Sequence, residues 1–491
     1  MLPVANGPCS SIVLTFGFHS PQVDVSDQMV HTLSAGAVLT TDVPYSAMDG
    51  FYSPGVKSSG IPLGYGIDFG TSNSAISIAY PDHVEVLALG AARSSPTLPS
   101  FVYIHRSGRR NAGDEGVKTF LKSGHRKTDC WKCPLAPYGW DTDCRQYRKG
   151  GGCNDARLLS GVKHELAKLG FSGTNSWAVD FSVSTLVSIV LGRLKSEADA
   201  HVERPPQRVV LGHPVVFAGA DPNDRAASDA EAFKRLEQAA TSVGFTEVAF
   251  LPEPTAAVIG EDKHRGVELA VDFGGGTFDV AIMDSRAGAP RITGIAGVAV
   301  GGEILDGVMF ETSVGPALGL ERLPSWLFNE LRTASSVRLL MADPGIPSIL
   351  ARIGGREAEL VHALLYEGHA YDFYKAIEAA KIALSDSEEV ELSYPALNLR
   401  IPLRRHAFES MIRPELDLVK QAIVSGLTEA AIEARDVDRV LLTGGSAYIP
   451  AFRSDLVDMF GADRLEQRDA FTAVVHGLGV RAQQLWAASG A

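Results

Sequence analysis

Two short stretches place an acid where strand alternation calls for an apolar residue. In GYGIDFGTSNSAISIAY (residues 64–80) the acid is Asp68, and in AVDFGGGTFDVAIMD (residues 270–284) it is Asp272. Each is followed by a turn of glycines and small polar residues: Gly70, Thr71, Ser72 and Asn73 in the first, Gly274, Gly275, Gly276 and Thr277 in the second. Such turns reach φ > 0 and aim successive N–H groups at one point, making a concavity for an anion. A carboxylate does not bind phosphate directly, so a cation must lie between them, and Mg²⁺ held through water is the usual solution. Two such turns facing each other can clamp a di- or triphosphate. A third glycine turn follows a strand at LLTGGS (residues 441–446).

The surrounding pattern alternates strands with helices. RVVLGHPVVF reads as an apolar strand, DRAASDAEAFKRLEQAATSVGF as an amphipathic helix ending at Gly244, and EVAFLPEP as a strand. Residues 306–435 are mostly helical, broken by strands near EVELSYP and LRIPL, and DRVLLTGGSAYIPAFRSDLVDMF is strand, glycine turn, helix. Alternation of this kind implies α/β layers, and the repeated hairpin implies two related halves with the hairpins across a cleft. Residues 1–60 are rich in Ser, Gly, Pro and Thr without a sustained period and read as a poorly ordered extension or a partner-binding tail.

The bulk numbers narrow the class. A chain of 491 residues exceeds one ordinary core. Its 45% hydrophobic and 21% charged residues are those of a globular protein, and a net charge of −13 argues against broad nucleic-acid binding. No apolar run is long enough to span a bilayer, so no membrane role is expected and a cytoplasmic location is the default.

GIDFGTSNS, DFGGGTFD, EPTAA and LLTGGSAYIP resemble, in order, the phosphate-one, phosphate-two, connecting and adenosine motifs of the actin-like ATPase superfamily. The wording is most similar to the heat-shock protein 70 (DnaK) family and, within it, to the YegD-type members. The resemblance covers residues 64 to about 485 and is thin between 96 and 160. It implies an α/β, duplicated actin-like ATPase (ribonuclease H-like) fold, with two lobes around a nucleotide cleft. Lobe I would span 61–262 with a Cys-rich insert at 123–156. Lobe II would span 263–464 with a helical subdomain at about 306–400, and a C-terminal helix within 465–491 would pack back on the lobes. ATP or ADP with Mg²⁺ is the implied ligand, and slow hydrolysis driving lobe closure the implied activity. Protein partners, as co-chaperones or clients, are implied without being identified. The matched wording runs out near Ala491, so a peptide-binding domain is not expected within this chain.

Carried over by position, Asp68 and Asp272 would hold the hydrated metal, Thr71 and Thr277 would contact phosphate or the attacking water, and Glu253 would orient the metal's water shell. Gly301, Gly302 and Glu303 match the segment near the ribose. Glu378, Lys381 and Ser385 fit the helix bordering adenine and ribose, where Ile382 replaces the family's basic residue. Gly444, Gly445 and Ser446 would form the facing wall. Lys163 is the implied catalytic lysine, with Lys168 as competitor, while His164 and His213 read as structural or exposed. Pro214 and Arg225 are the implied relay of lobe closure.

Four of the five cysteines, Cys130, Cys133, Cys144 and Cys153, cluster within one Lys- and Arg-bearing stretch. A C-x₂-C pair with two more thiols fits tetrahedral zinc, but the second spacing is loose, so unligated thiols, a redox or iron–sulfur role, and a docking module stay open. For function, a small-molecule kinase, an actin-like filament protein and a non-enzymatic nucleotide-gated module stand beside the ATPase reading.

Overall fold

The computed structural model describes residues 60–89, 95–122 (106 apart), 156–259 (177 and 178 apart), 265–467 (289, 343, 344 and 368 apart) and 472–487. The expectations for residues 1–59 and for Cys130, Cys133, Cys144 and Cys153 lie outside them.

The first hairpin, Gly64–Phe69 with Asn73–Ala79, sits inside a sheet. Its first strand pairs in parallel with Arg208–His213, which pairs in parallel with Glu247–Pro252; on the other side, Asn73–Ala79 pairs antiparallel with Val84–Val86. The second hairpin, Val267–Phe273 with Phe278–Asp284, repeats that order. Its first strand pairs in parallel with Arg439–Thr443, which continues in parallel to Leu465–Gln467, and its second pairs antiparallel with Arg291–Val298. Two sheets with the same order and the same strand directions make the fold duplicated α/β, as the paired motifs imply.

Period and caps explain the connecting helices. Ser182 caps Val183–Asp199 by accepting from the Thr185 N–H, and Asp224 caps Arg225–Thr241 by accepting from Ala227. The segment between Arg291–Val298 and Arg439–Thr443 is largely helical, from Gly302–Met309 to Arg413–Glu429, interrupted by the hairpin Glu389–Tyr394 with Leu399–Arg404. Among the described residues no helix is long and apolar enough to cross a membrane.

Each half has its own core. Phe273, Phe278 and Phe452 meet edge to face in the second, and Tyr65, Ile67 and Ile76 lie in the first. A third cluster joins them: Val210 and Leu251 from the first sheet, Ala270 and Leu441 from the second, and Ala256 and Leu478 from two helices between the sheets. One of these is the short helix Glu253–Ile259, and the other is the C-terminal helix Ala473–Trp486, which lies on the first hairpin. The approach is close. A Cβ on Gly66 would lie 2.4 Å from the Gly479 nitrogen, and one on Gly477 would lie 1.8 Å from the Ala256 carbonyl oxygen. Ser77 Oγ donates to the Val475 carbonyl at 2.7 Å across the same seam.

A side chain at Gly477 forces the two inter-sheet helices apart. Gly477→Val is expected to lower stability by about 1–3 kcal/mol, the usual cost of overpacking, read as a drop in Tm and denaturant midpoint. An unchanged midpoint would contradict this packing.

Candidate functional site

Both hairpins end at one gap. A Cβ added to Gly275 would lie 2.7 Å from Ser72 Oγ, and one on Gly276 would lie 2.4 Å from Thr71 Oγ1. The two turns therefore stand against each other, and only residues without a side chain fit on the second. The conformation within each turn is as tight: a Cβ on Gly70 would lie 2.0 Å from the Asn73 carbonyl oxygen. Ser100 Oγ donates to the Gly70 carbonyl at 2.6 Å, and the Gly274 N–H donates to Thr277 at 3.0 Å, fixing each turn's shape.

Two further segments brace the second turn. The N–H groups of Gly302 and Glu303 donate to the carbonyls of Gly274 and Gly275 at 3.0 and 2.8 Å. Gly301 packs on Gly276, where a Cβ would lie 2.4 Å from the Gly276 carbonyl carbon. Ser446 Oγ donates to the Gly274 carbonyl at 3.1 Å, while Gly444, at φ +82°, closes on the Phe273 carbonyl and the Asp272 carboxylate.

Beneath the turns lies a floor of charge. Lys163 and Glu253, both almost fully buried, pair at 2.6 Å. Lys163 comes from a one-turn 3₁₀ helix, Val162–Glu165, and Glu253 opens the helix after Glu247–Pro252. Asp68 and Asp272 reach the same place from their strand ends, both lining a cavity of about 470 Å³ with Lys163 and Glu253. Asp279, directly across the ladder from Asp272, is 1% exposed and accepts from the Val215 N–H at 2.8 Å. Burial, then the Glu253 charge, pushes all three aspartates up: Asp272 and Asp279 to about 7, and Asp68 upward as well. Lys163 is raised: burial alone would lower it, and the Glu253 and Asp68 carboxylates outweigh that.

The cavity is walled by Thr71, Ser72, Asn73 and Thr277 near the turns, and by Gly302, Glu303, Glu378, Lys381, Ser385, Gly444, Gly445 and Ser446 beyond them. Lys381 Nζ donates to the Gly302 carbonyl at 2.8 Å and pairs with Asp306 at 2.9 Å. The cavity's roof joins the halves through Phe101 and Tyr371, edge to face at 5.1 Å.

The structure separates the competing residues. Lys168 pairs with Glu165 at 3.1 Å and does not line the cavity. His213 is half-buried against Phe217 and Phe233, and desolvation there lowers its pKa. His164 lies behind the second turn, its Nδ1 3.2 Å from Glu303 Oε2. The other Glu303 oxygen accepts from the N–H and hydroxyl of Ser335 at 2.8 and 2.5 Å, so this acid braces the cleft wall from both sides. Arg225 Nη2 donates to the Val215 carbonyl, the residue after Pro214, so that loop is tied to Asp279 on one side and Arg225 on the other.

Sequence reasoning passed over Asp279 and Asp306. Asp279 closes the DFGGGTFD stretch, and its signal was a second acid inside an otherwise apolar strand. Asp306 lies three residues beyond Glu303 on the helix Gly302–Met309, close enough in period to share a face.

Comparison with known proteins supports the same reading. A model of the Hsp70 protein family matches residues 161–315 and 370–489, more than half of the chain. The chaperone protein DnaK of Thermosipho melanesiensis is 25% identical over 440 residues, 87% of this chain and 60% of its own length; DnaK of Thermosipho africanus gives the same figures. DnaK of Thermotoga maritima is 24% identical over 441 residues with the same coverage. The chain thus spans about 60% of the length of the curated relatives it matches. The first hairpin falls outside the family match, yet its sheet repeats the topology of the second. The chain belongs to the Hsp70 family.

Proposed function

We propose that this chain binds ATP with Mg²⁺ between the two turns and hydrolyses it slowly, with nucleotide state setting the closure of its two halves, 61–262 and 263–464. The observation that supports this most is the meeting of the turns at Gly275 and Gly276 above Asp68, Asp272, Glu253 and Lys163, with Asp279 buried across the ladder from Asp272. Backbone N–H groups at such turns favour phosphate, and the donor set below them is all hard oxygen, which suits Mg²⁺.

The acids fit a cation on electrostatic grounds. Asp68, Glu253, Asp272 and Asp279 oppose a single Lys163, and burial, then the Glu253 charge, raises the three aspartates against the pull of that lysine. Among the described residues no three acid, His or Cys side chains converge to hold an ion directly. Asp68 and Asp272 would therefore hold it through water and through the phosphate oxygens. A bound Mg²⁺ supplies neutralisation of charge on the transferring phosphoryl group.

The chain's own residues do the rest. Thr71 and Thr277 stand at the turns to position phosphate and the attacking water. Lys163, held by Glu253, presents positive charge to the transferring group, and Glu253 in turn is placed to orient water. Glu378, Lys381 and Ser385 on one wall and Gly444, Gly445 and Ser446 on the other receive the nucleoside. The bond from Val215 to Asp279 crosses between the halves, so a change in charge beside Asp279 bears on the Pro214 loop and Arg225.

Two predictions follow from the floor residues. Lys163→Ala is expected to cut phosphate release from ATP, measured without any added acceptor, by about a hundred-fold, while calorimetric affinity for Mg-ATP changes only a few-fold. Lys168→Ala should retain full turnover. Wild-type rates in Lys163→Ala, or release only when a small-molecule acceptor is added, would contradict the assignment.

The second concerns pH in the metal-free protein. Asp272 and Asp279 keep protons up to about pH 7 in the fold but lose them near 3.8 when unfolded. Between these values the folded state binds more protons, so their contribution to stability falls as pH rises from about 4 to 8. Asp272→Asn should accordingly gain Tm relative to wild type as pH increases across that window. A Tm difference that is flat or declines with pH would contradict the electrostatic account.

A further inference from the structure

The helix Arg225–Thr241 buries Ser228, Ala232, Leu236, Ala239 and Ala240, and among them stands a charged residue, Arg235, 7% exposed. A buried guanidinium is costly unless its donors are satisfied, and an arginine carries five N–H groups in a fixed planar fork. Here Nε donates to Glu231, one turn earlier on the helix, at 2.9 Å. The rest of the fork is spent on backbone. Nη1 donates to the carbonyls of Glu165, Leu166 and Lys168 at 2.7, 2.9 and 3.2 Å, and Nη2 donates to that of Phe171 at 2.7 Å. All four carbonyls lie at or just beyond the end of the 3₁₀ helix Val162–Glu165, where no further helical turn receives them. That short helix carries Lys163. Gly219, at φ +78°, seats the loop after Pro214 on the same turn: a Cβ there would lie 2.6 Å from the His164 carbonyl oxygen.

We propose that Arg235 is a positioning residue for Lys163: its guanidinium grips the chain just beyond the lysine by four carbonyls and so fixes how far the Lys163 ammonium reaches into the cleft. The inference rests on the reading of Lys163 as the lysine that meets the transferring phosphoryl group, and adds what holds it there. Arg235 does not line the cavity, so its influence on turnover passes through the backbone of residues 162–171. A 3₁₀ helix of one turn has poor hydrogen-bond geometry and little stiffness of its own. Glu253 holds the tip of the lysine at 2.6 Å, and Arg235 holds its base. Positioned charge is sensitive to displacement, since a shift of about 1 Å can cost about a hundred-fold in rate. The same helix begins at Arg225, which donates to the Val215 carbonyl, so the Pro214 loop and the Lys163 turn are tied to one rigid element.

The test is a double-mutant cycle on phosphate release from Mg-ATP, with calorimetric affinity read beside it. Arg235→Lys keeps the charge and Arg235→Gln keeps a planar donor, but neither reproduces the fork. Each is expected to lower kcat at least about ten-fold while affinity for Mg-ATP stays within about three-fold, because the two phosphate-facing turns are untouched. Combined with Lys163→Ala, either change should slow turnover by less than about two-fold more, because the group it positions is already gone. A residue serving the fold in general would not lose its effect in that background. Melting curves identify the variants that are folded at the assay temperature. The inference is overturned if a folded variant turns over as wild type does, if its loss multiplies with that of Lys163→Ala, if affinity falls as far as kcat, or if neither variant folds. A Lys163→Ala variant that releases phosphate at the wild-type rate, or wild type that does not bind Mg-ATP, instead overturns the reading of the site on which the inference stands.

Discussion

The constraint on which the structure depends is the approach of two backbone turns over a pocket of buried negative charge. The second turn cannot tolerate a side chain pointing at the first, because Thr71 and Ser72 already occupy the space in front of Gly276 and Gly275. Beneath them, Lys163 pairs with Glu253, while Asp68 and Asp272 line the cavity beside that pair. Buried charge of one sign is costly, so the arrangement stores a demand for a cation that the protein does not itself supply. The duplicated sheets, the bridging helices and the glycine cradle exist, in this account, to hold that demand at a fixed geometry.

Duplication solves a positioning problem. Each acid sits near the end of the first strand of a hairpin, and each hairpin occupies the same place in a sheet of the same order. Pairing two copies face to face aims two turns at one point without any long loop having to find it. The helices Glu253–Ile259 and Ala473–Trp486 lock the copies together through Gly477 and Leu478, and the first of them also delivers Glu253 to the floor. One element thus sets both the spacing of the halves and the charge between them.

Much of this was readable in the sequence, for physical reasons. Strand alternation broken by Asp68 and Asp272, followed by residues able to take φ > 0, has few solutions, and later strands were legible as apolar runs such as RVVLGH and RVLLT. What local pattern does not encode is a partner distant in sequence. That Lys163 rather than Lys168 reaches Glu253 depends on a single 3₁₀ turn and on packing 90 residues apart in sequence. Asp279 carried no assignment in the sequence, and its cross-strand position opposite Asp272 is what buries it beside the floor. Glu303 was assigned to the ribose, and its carboxylate is held by Ser335 and His164.

The central claim is that the cleft accepts a polyphosphate only in company with a cation. Calorimetric titration of ATP into the purified chain, with Mg²⁺ present and then with Mg²⁺ removed by chelation, tests it most directly. The account predicts saturable binding with Mg²⁺ and an affinity at least about a hundred-fold weaker without it, since bare triphosphate would meet uncompensated carboxylates at close range. Equal affinity in the two titrations would contradict it.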